Sequence, residues 1–303
     1  MRRRQRNAAE HEARRAELSD AGPPEDDVPR RPPSAFSMTA DLGALGPIVE
    51  RKRREVEAIR CGRGAIWAKA ELLPPAPGFE ALRGGRVIAE LKRRSPSGGA
   101  LRTDLDVGAV AAAYAGAGAG AISVLTDGPD FGGSPADLEA VRATVTIPVL
   151  RKDFTVDPVQ IAESRVLGAD WVLLIVAVLE GGALDECLEA VRRAGAHALV
   201  EVHDEAQLER AVVAGAACVG INNRDLRTLR TDLGTFSRLR RLLPDPSVSV
   251  AESGVRSAAD VTRLVGEGAD AVLVGEALMR QEDPATLCAE MVAAAAAAAG
   301  VSR

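Results

Sequence analysis

Residues 195–224 read GAHALVEVHDEAQLERAVVAGAACVGINNR, and the fold turns on them. The run ALVEV at 198–202 is short, β-prone and apolar apart from Glu201, as a buried strand should be. A stretch rich in Ala, Leu, Glu and Arg follows it, and Gly215-Ala216 marks where such a helix ends and the chain turns back. CVGIN at 218–222 then reads as a second strand running into Asn222 and Arg224. Strand, helix and strand in this order build a parallel pair.

The same alternation extends in both directions. Strand-like runs occur at 86–92, 121–126, 147–152, 171–176, 247–252 and 271–275, in addition to the two above. Gly120-Ala121, Gly168-Ala169 and Gly268-Ala269 repeat the helix-to-strand turn. Eight strands alternating with helices predict a closed (β/α)8 TIM barrel. An open doubly wound sheet would carry a glycine-rich dinucleotide turn after its first strand, and this chain has none there.

Ahead of the barrel, residues 41–70 show helical periodicity, with Ile48, Val49, Val56 and Ile59 on one face and Arg and Lys on the other. The single catalytic domain is therefore expected over 38–303, with an extra N-terminal helical segment. Residues 1–37 differ from the rest: Arg and acidic residues nearly balance, and Pro23, Pro24, Pro29, Pro32 and Pro33 break any pattern. Such a stretch buries too little to offset its ordering entropy, so it is expected to be disordered, with transient helix over 8–18. A tail with a role of its own and a true start at Met38 are both open readings. The alanine run 293–299 is expected to close the last helix.

Bulk properties exclude several classes of function. A net charge of −5 on 303 residues gives no electrostatic footprint for nucleic acid or an anionic membrane. Cys61, Cys187, Cys218 and Cys288 are widely spaced, and three histidines are too scattered for a metal cluster. No metal site, disulfide framework or cofactor is expected. Nothing approaches the ~20 apolar residues of a membrane helix, and no apolar segment follows the arginine-rich Met1–Arg6. The expected location is the cytoplasm, with no obligate protein partner.

In a parallel barrel the active site forms where the strands end. Here the polar residues gather at those ends: Glu90 and Lys92, Lys152 and Asp153, Glu201, Asn222 and Arg224, Glu252 and Ser253. Glu90 and Lys92 are two apart and face the same side, as are Asn222 and Arg224. One strand-end charge is ordinarily just solvated; five strands ending this way argue for a site. Two lysines among carboxylates can donate and accept protons, and burial is expected to lower a lysine pKa toward neutrality.

A second signal follows strands seven and eight. Ser253-Gly254, with Ser257 and Asp260 spaced for a helix start, and Gly275-Glu276 suit an anion cradle of phosphate type. Ser95, Pro96, Ser97, Gly98 and Gly99 after strand one suit a flap with hydroxyl donors. Phe131 and Phe154, in a chain with only 3% aromatic residues, fall in neighbouring loops and suit a slot for a ring. Trp67 and Trp171 read as structural. His203 follows Glu201 on one side of strand five, and a satisfied surface histidine is favoured over a group supporting Glu201.

Ala89-Glu90-Leu91-Lys92 through Ser95-Pro96-Ser97, Ser123 to Asp127 with Phe131, and Leu150 to Phe154 resemble the indole-3-glycerol phosphate synthase family. So do Glu201-Val202-His203, Gly220 to Leu226, Glu252-Ser253-Gly254 and Val274-Gly275-Glu276. The likeness runs in order from about Leu42 to the end.

The resemblance implies ring closure, decarboxylation and dehydration of 1-(2-carboxyphenylamino)-1-deoxyribulose 5-phosphate, without metal or redox cofactor. It implies that Lys152 is the general acid and that Glu201 stabilises charge and moves protons. Lys92 and Glu90 would hold substrate and assist dehydration; Asn222 with Arg224 would orient hydroxyls; Glu252 would be a further carboxylate. Ser253, Gly254, Gly275 and Glu276 would hold the phosphate, Ser95 would join the flap, and Phe131 and Phe154 would line the anthranilate slot.

Gly98 departs from the lysine often found after Ser-Pro-Ser, and the N-terminal tail has no counterpart in that family. A phosphoribosyl aminoaldose isomerase is the nearest rival, but its Asp or Cys at strands one and six is replaced here by Lys92 and Asn222. A binding-only barrel would be free to lose Lys152, which is retained.

Overall fold

A computed structural model describes residues 42–96, 98–225 and 228–300. The expectations for residues 1–37, and for Ser97 and Leu226, lie outside the described residues. From Leu42 onward the architecture is the expected barrel.

Eight parallel strands close on one another: β1 (Arg86–Leu91), β2 (Ala121–Leu125), β3 (Val149–Lys152), β4 (Trp171–Ile175), β5 (His197–Val202), β6 (Cys218–Asn222), β7 (Val248–Glu252) and β8 (Ala271–Val274). Strand β1 pairs with β2 on one side and β8 on the other, which completes the ring. Bounds differ from the sequence reading by one or two residues, as strand ends do.

Helices pack outside: α1 (Gly46–Arg60), α2 (Arg63–Ala70), α3 (Val107–Gly116), α4 (Pro135–Thr144), α5 (Pro158–Val166), α6 (Ala183–Arg193), α7 (Glu205–Val213), α8 (Gly234–Arg240), α9 (Ala258–Gly266) and α10 (Pro284–Ala298). Their starts follow local chemistry. Asp106, Ser134, Asp157, Asp204, Ser257 and Asp283 each accept a backbone N–H of the first turn. Ser257 and Asp260 make the expected reciprocal box. At three of the four Gly-Ala turns the glycine has positive φ; after α3 it is Gly118, not Gly120, that does.

Strand alternation divides the core in two. Val87, Ala89, Val124, Val200, Ile221 and Val272 face the helices, whereas Ile88, Leu150, Leu173, Leu199, Val250 and Leu273 fill the barrel. Phe79 and Leu82 from a 3-10 turn join the inner core, with the Phe79 ring 4.6 Å from that of buried Trp171. Trp67 and Trp171 are thus structural.

The N-terminal helical segment departs from expectation in two ways. It breaks after Arg60 into α1 and α2, and Lys52 joins Ile48, Val49 and Val56 on the buried face, while Ile59 is only partly covered.

Candidate active site

The inward parity of each strand continues into the residues at its carboxyl end. Ile88 leads to Glu90 and Lys92, Leu150 to Lys152, Leu199 to Glu201, Cys218 to Asn222, and Val250 to Glu252. These side chains converge in one cavity of about 770 Å³ with Ser95, Phe131, Phe154, Arg224, Ser253, Gly254, Gly275 and Glu276. Every predicted site residue therefore reaches the same space.

At its floor the Lys152 ammonium donates to Glu201 Oε2 at 3.0 Å and to Glu252 Oε2 at 2.5 Å. Lys92 donates to Glu90 Oε1 at 2.8 Å, and Ser123 to Glu90 Oε2 at 3.4 Å. Burial alone would push the Lys152 ammonium down. Glu201, Glu252 and Glu90 outweigh it and hold Lys152 above the ordinary lysine value. This corrects the sequence expectation of a lowered lysine: three carboxylates decide the sign.

The proton that titrates near neutrality lies next door. Burial lifts Glu252, and with Glu201 and Glu90 close by it is pushed up to about 7 despite Lys152. Its Oε1 is buried without a hydrogen-bond partner among the described residues, which favours the protonated form. Burial acts upward on Glu201 too, but Lys152 and then His203 hold it well below the usual carboxylate range. Two carboxylates of one residue type are thus set apart, one anionic and one able to carry a proton.

Small residues make this crowding feasible. A Cβ at Gly220 would stand 2.0 Å from Glu252 Oε1, and one at Gly275 would stand 2.4 Å from Glu90 Oε1 and 3.0 Å from Lys92 Nζ. A Cβ at either position would push a site side chain out of its place.

The aromatic end is built by the loops after β2 and β3. The Phe131 and Phe154 rings lie 6.1 Å apart and tilted by 41°. Asp127 caps the one-turn helix Gly128–Phe131, and Asp153 accepts from the Phe154 N–H at 2.8 Å. Helix α1 fastens both loops: Lys52 lies 3.1 Å from Asp127 Oδ1 and 2.8 Å from Asp153 Oδ1, and Arg51 donates to Asp127 and Asp130. Burial would lower the Lys52 pKa, but Asp153, Glu55 and Asp127 outweigh it and raise it. Sequence reading missed this lysine because a helix-borne charge is ordinarily solvated.

At the opposite end Ser253 has a φ of 64°, in the left-handed region that a non-glycine residue adopts only under constraint. Gly254 follows at the start of the turn into α9. Gly275 caps the one-turn helix Glu276–Met279, and Arg224, Arg256 and Arg280 line the same cavity. Sequence reading missed Arg256 and Arg280, which lie outside its motifs. Asn222 Oδ1 accepts from the Arg224 N–H at 2.9 Å. Asn223, fully inside, donates to the Glu252 and Ser253 carbonyls and ties β6 to the end of β7.

Ser95 is buried, and its Oγ accepts from the Gly98 N–H at 2.9 Å within a short hairpin, Arg94–Ser95 against Gly99–Ala100. His203 is not the surface histidine expected. Its Nε2 lies 3.3 Å from Glu201 Oε1, and only 11% of the side chain is exposed.

Lysine–carboxylate pairs on the floor, an aromatic slot on one side and arginines with backbone turns on the other define an acid–base (β/α)8-barrel enzyme for an anionic, ring-bearing substrate. Residues 45–291 match the sequence profile of the family described as Indole-3-glycerol phosphate synthase. The chain belongs to that family. The indole-3-glycerol phosphate synthase of Parafrankia sp. (strain EAN1pec) is 52% identical over 259 residues, covering 84% of this chain and 96% of that one. The protein of that name from Nocardioides sp. (strain ATCC BAA-499 / JS614) is 55% identical over 210 residues, covering 69% and 80%. The one from Kineococcus radiotolerans is 50% identical over 255 residues, covering 84% and 89%.

Proposed function

We propose that this chain closes the indole ring of indole-3-glycerol phosphate from 1-(2-carboxyphenylamino)-1-deoxyribulose 5-phosphate, as a carboxy-lyase of tryptophan biosynthesis. The observation that carries this reading is Lys152, a strand-end ammonium between Glu201 and Glu252 at the floor of the cavity.

The substrate's carboxyphenyl ring lies against Phe131 and Phe154, and its phosphate lies among Ser253, Gly254, Gly275 and the Glu276 backbone. Anchoring both ends holds the ring carbon against the ketone and supplies remote binding energy. Lys152 gives its proton to the ketone oxygen as the carboxylate-bearing ring carbon attacks. The bond to CO2 then breaks, and its electron pair restores the ring.

Glu201 stabilises positive charge on the anilino nitrogen and moves protons during the later steps. Lys92, held by Glu90, assists departure of the hydroxyl as water, and loss of a proton from the methylene carbon beside nitrogen completes the indole. Asn222 and Arg224 orient the sugar hydroxyls, Glu252 holds Lys152, and Ser95 closes the cavity from the β1 loop. None of these steps calls for a metal or redox cofactor.

Among the described residues no helix is long and apolar enough to cross a membrane. A cytoplasmic location without an obligate protein partner belongs to the same proposal, since the substrate is a small phosphate ester.

The reading is tested by supplying that substrate in the presence of EDTA and measuring indole absorbance together with CO2. One CO2 per indole supports it; substrate consumption without CO2 contradicts it.

A further inference from the structure

Two residues beyond Glu201, β5 leads into a second titratable side chain, His203, on the same side of the strand. Gln207, in the first turn of α7, fixes its ring. The His203 main-chain N–H donates to Gln207 Oε1 at 3.1 Å, and Nδ1 lies 3.1 Å from the same oxygen. The amide is oriented from its other end, where Gln207 Nε2 donates to Asp204 Oδ2 at 3.0 Å. A carbonyl oxygen only accepts, so Nδ1 carries a proton. Nε2 is then left facing Glu201 Oε1 at 3.3 Å, in ion-pair range but without a hydrogen bond to any group among the described residues.

A neutral ring so fixed would turn a lone pair toward a carboxylate oxygen. The contact is favourable only with a proton between the two atoms. Four charged groups bear on that proton. Glu201 on β5 and Glu252 on β7 attract it, Lys152 on β3 lies between those carboxylates, and Asp204 stands behind Gln207. Burial pushes the His203 pKa down, but Glu201 and Gln207 outweigh it and hold it above the ordinary histidine value. His203 keeps 11% of its side chain exposed, although Nε2 itself is buried.

The proposed reaction consumes a proton that such a group can supply. One proton goes to the ketone oxygen and a second leaves with the hydroxyl as water, while only one is recovered, from the methylene carbon. The substrate carboxylate departs as neutral CO2, so each turnover takes one proton from solvent.

We propose that His203 is a positioning residue that holds a proton against Glu201 and returns one proton to the site in each turnover. This rests on the reaction proposed above. His203 passes its Nε2 proton to Glu201 Oε1, rotation of that carboxyl brings the proton to Lys152 Nζ, and the neutral imidazole swings its Nε2 edge away from Glu201 to take a proton from solvent.

The chain has only His11, His197 and His203, so an NMR titration of histidine-labelled protein is readily assigned with His203→Asn. His203 is expected to remain imidazolium past neutrality, and Glu201→Gln to lower its titration by about one pH unit or more. A His203 ring already neutral below its ordinary pKa, or indifferent to Glu201→Gln, overturns the proposal.

In turnover, His203→Asn is expected to lower kcat about tenfold on the alkaline side with KM nearly unchanged, and added imidazole to restore it. His203→Gln serves in its place should His203→Asn fail to fold. Wild-type kcat and pH profile in the variant overturn proton return. Silence from the wild-type enzyme sinks the reaction and proton return together, while the titration still decides where the proton sits.

Discussion

Lys152 owes its setting to three strands at once, since the carboxylates around it come from β1, β5 and β7. Lys152→Ala is expected to reduce indole formation by about a thousandfold, the scale of a lost general acid, with an unchanged far-UV spectrum. Glu252 makes a separate claim about stability. Its folded pKa lies above the unfolded value, so the folded state keeps a proton that the unfolded state loses. Stability from this group is therefore greatest in acid and declines as pH rises toward about 7, by about 3 kcal/mol in all. Glu252→Gln should melt about 5 °C or more above wild type at mildly alkaline pH, with the gap closing near pH 5. A gap that does not change with pH contradicts the assignment. The positions of Glu90, Lys92, Lys152, Glu201, Asn222 and Glu252 were legible in the sequence because strand parity points them inward. The sign of the Lys152 shift was not, because it depends on neighbours far apart in the chain. His203 was misread for a more local reason: its partner Gln207, four residues on, belongs to the next helix, and only the folded turn brings its amide to the ring.

Among the elements, α1 carries more of the site than its sequence suggests. Its apolar positions announced a helix packed on the barrel, and Ile48 does reach the cavity wall, as does Leu45 just before the helix. Lys52 was expected on the solvent side with the other basic residues, yet it is 6% exposed. Periodicity cannot distinguish a buried, paired lysine from a solvated one; Asp127 and Asp153, more than seventy residues away, make the difference. Because those aspartates set the Phe131 and Phe154 loops, Lys52→Met is expected to raise KM for the substrate about tenfold while kcat falls less. An unchanged KM would show that the slot holds its shape without α1. The close approach at β8 gives another expectation. Gly275→Ala must displace Glu90 or Lys92, and turnover should drop by about a hundredfold. Turnover at the wild-type rate would mean that the crowding has no consequence. Strand and helix identities were legible from their periods. The exact turn glycine after α3 was not, since Gly118 and Gly120 both stand near the helix end.

At the scale of the whole molecule the barrel separates stability from chemistry. Apolar layers on both faces of the strands hold the ring closed, and the polar side chains that line the cavity gather at the carboxyl end of the inner layer. That division made the fold readable from eight strand-like runs, and it made the site readable from where those runs end. The proposed phosphate end was legible only as glycine-bearing turns; Arg256, just before α9, and Arg280, just after the Glu276–Met279 turn, line the same cavity but stand outside those motifs. Inorganic phosphate should therefore compete with substrate and raise the melting temperature as its concentration exceeds its dissociation constant. A melting temperature indifferent to phosphate would place the anion elsewhere. The central claim is that this barrel closes an indole ring with Lys152 as the acid. It is tested most directly by mixing 1-(2-carboxyphenylamino)-1-deoxyribulose 5-phosphate with wild-type enzyme and with folded Lys152→Ala, and following indole fluorescence. Rapid growth of the signal is expected for wild type and almost none for the variant. Comparable growth in both would contradict the claim.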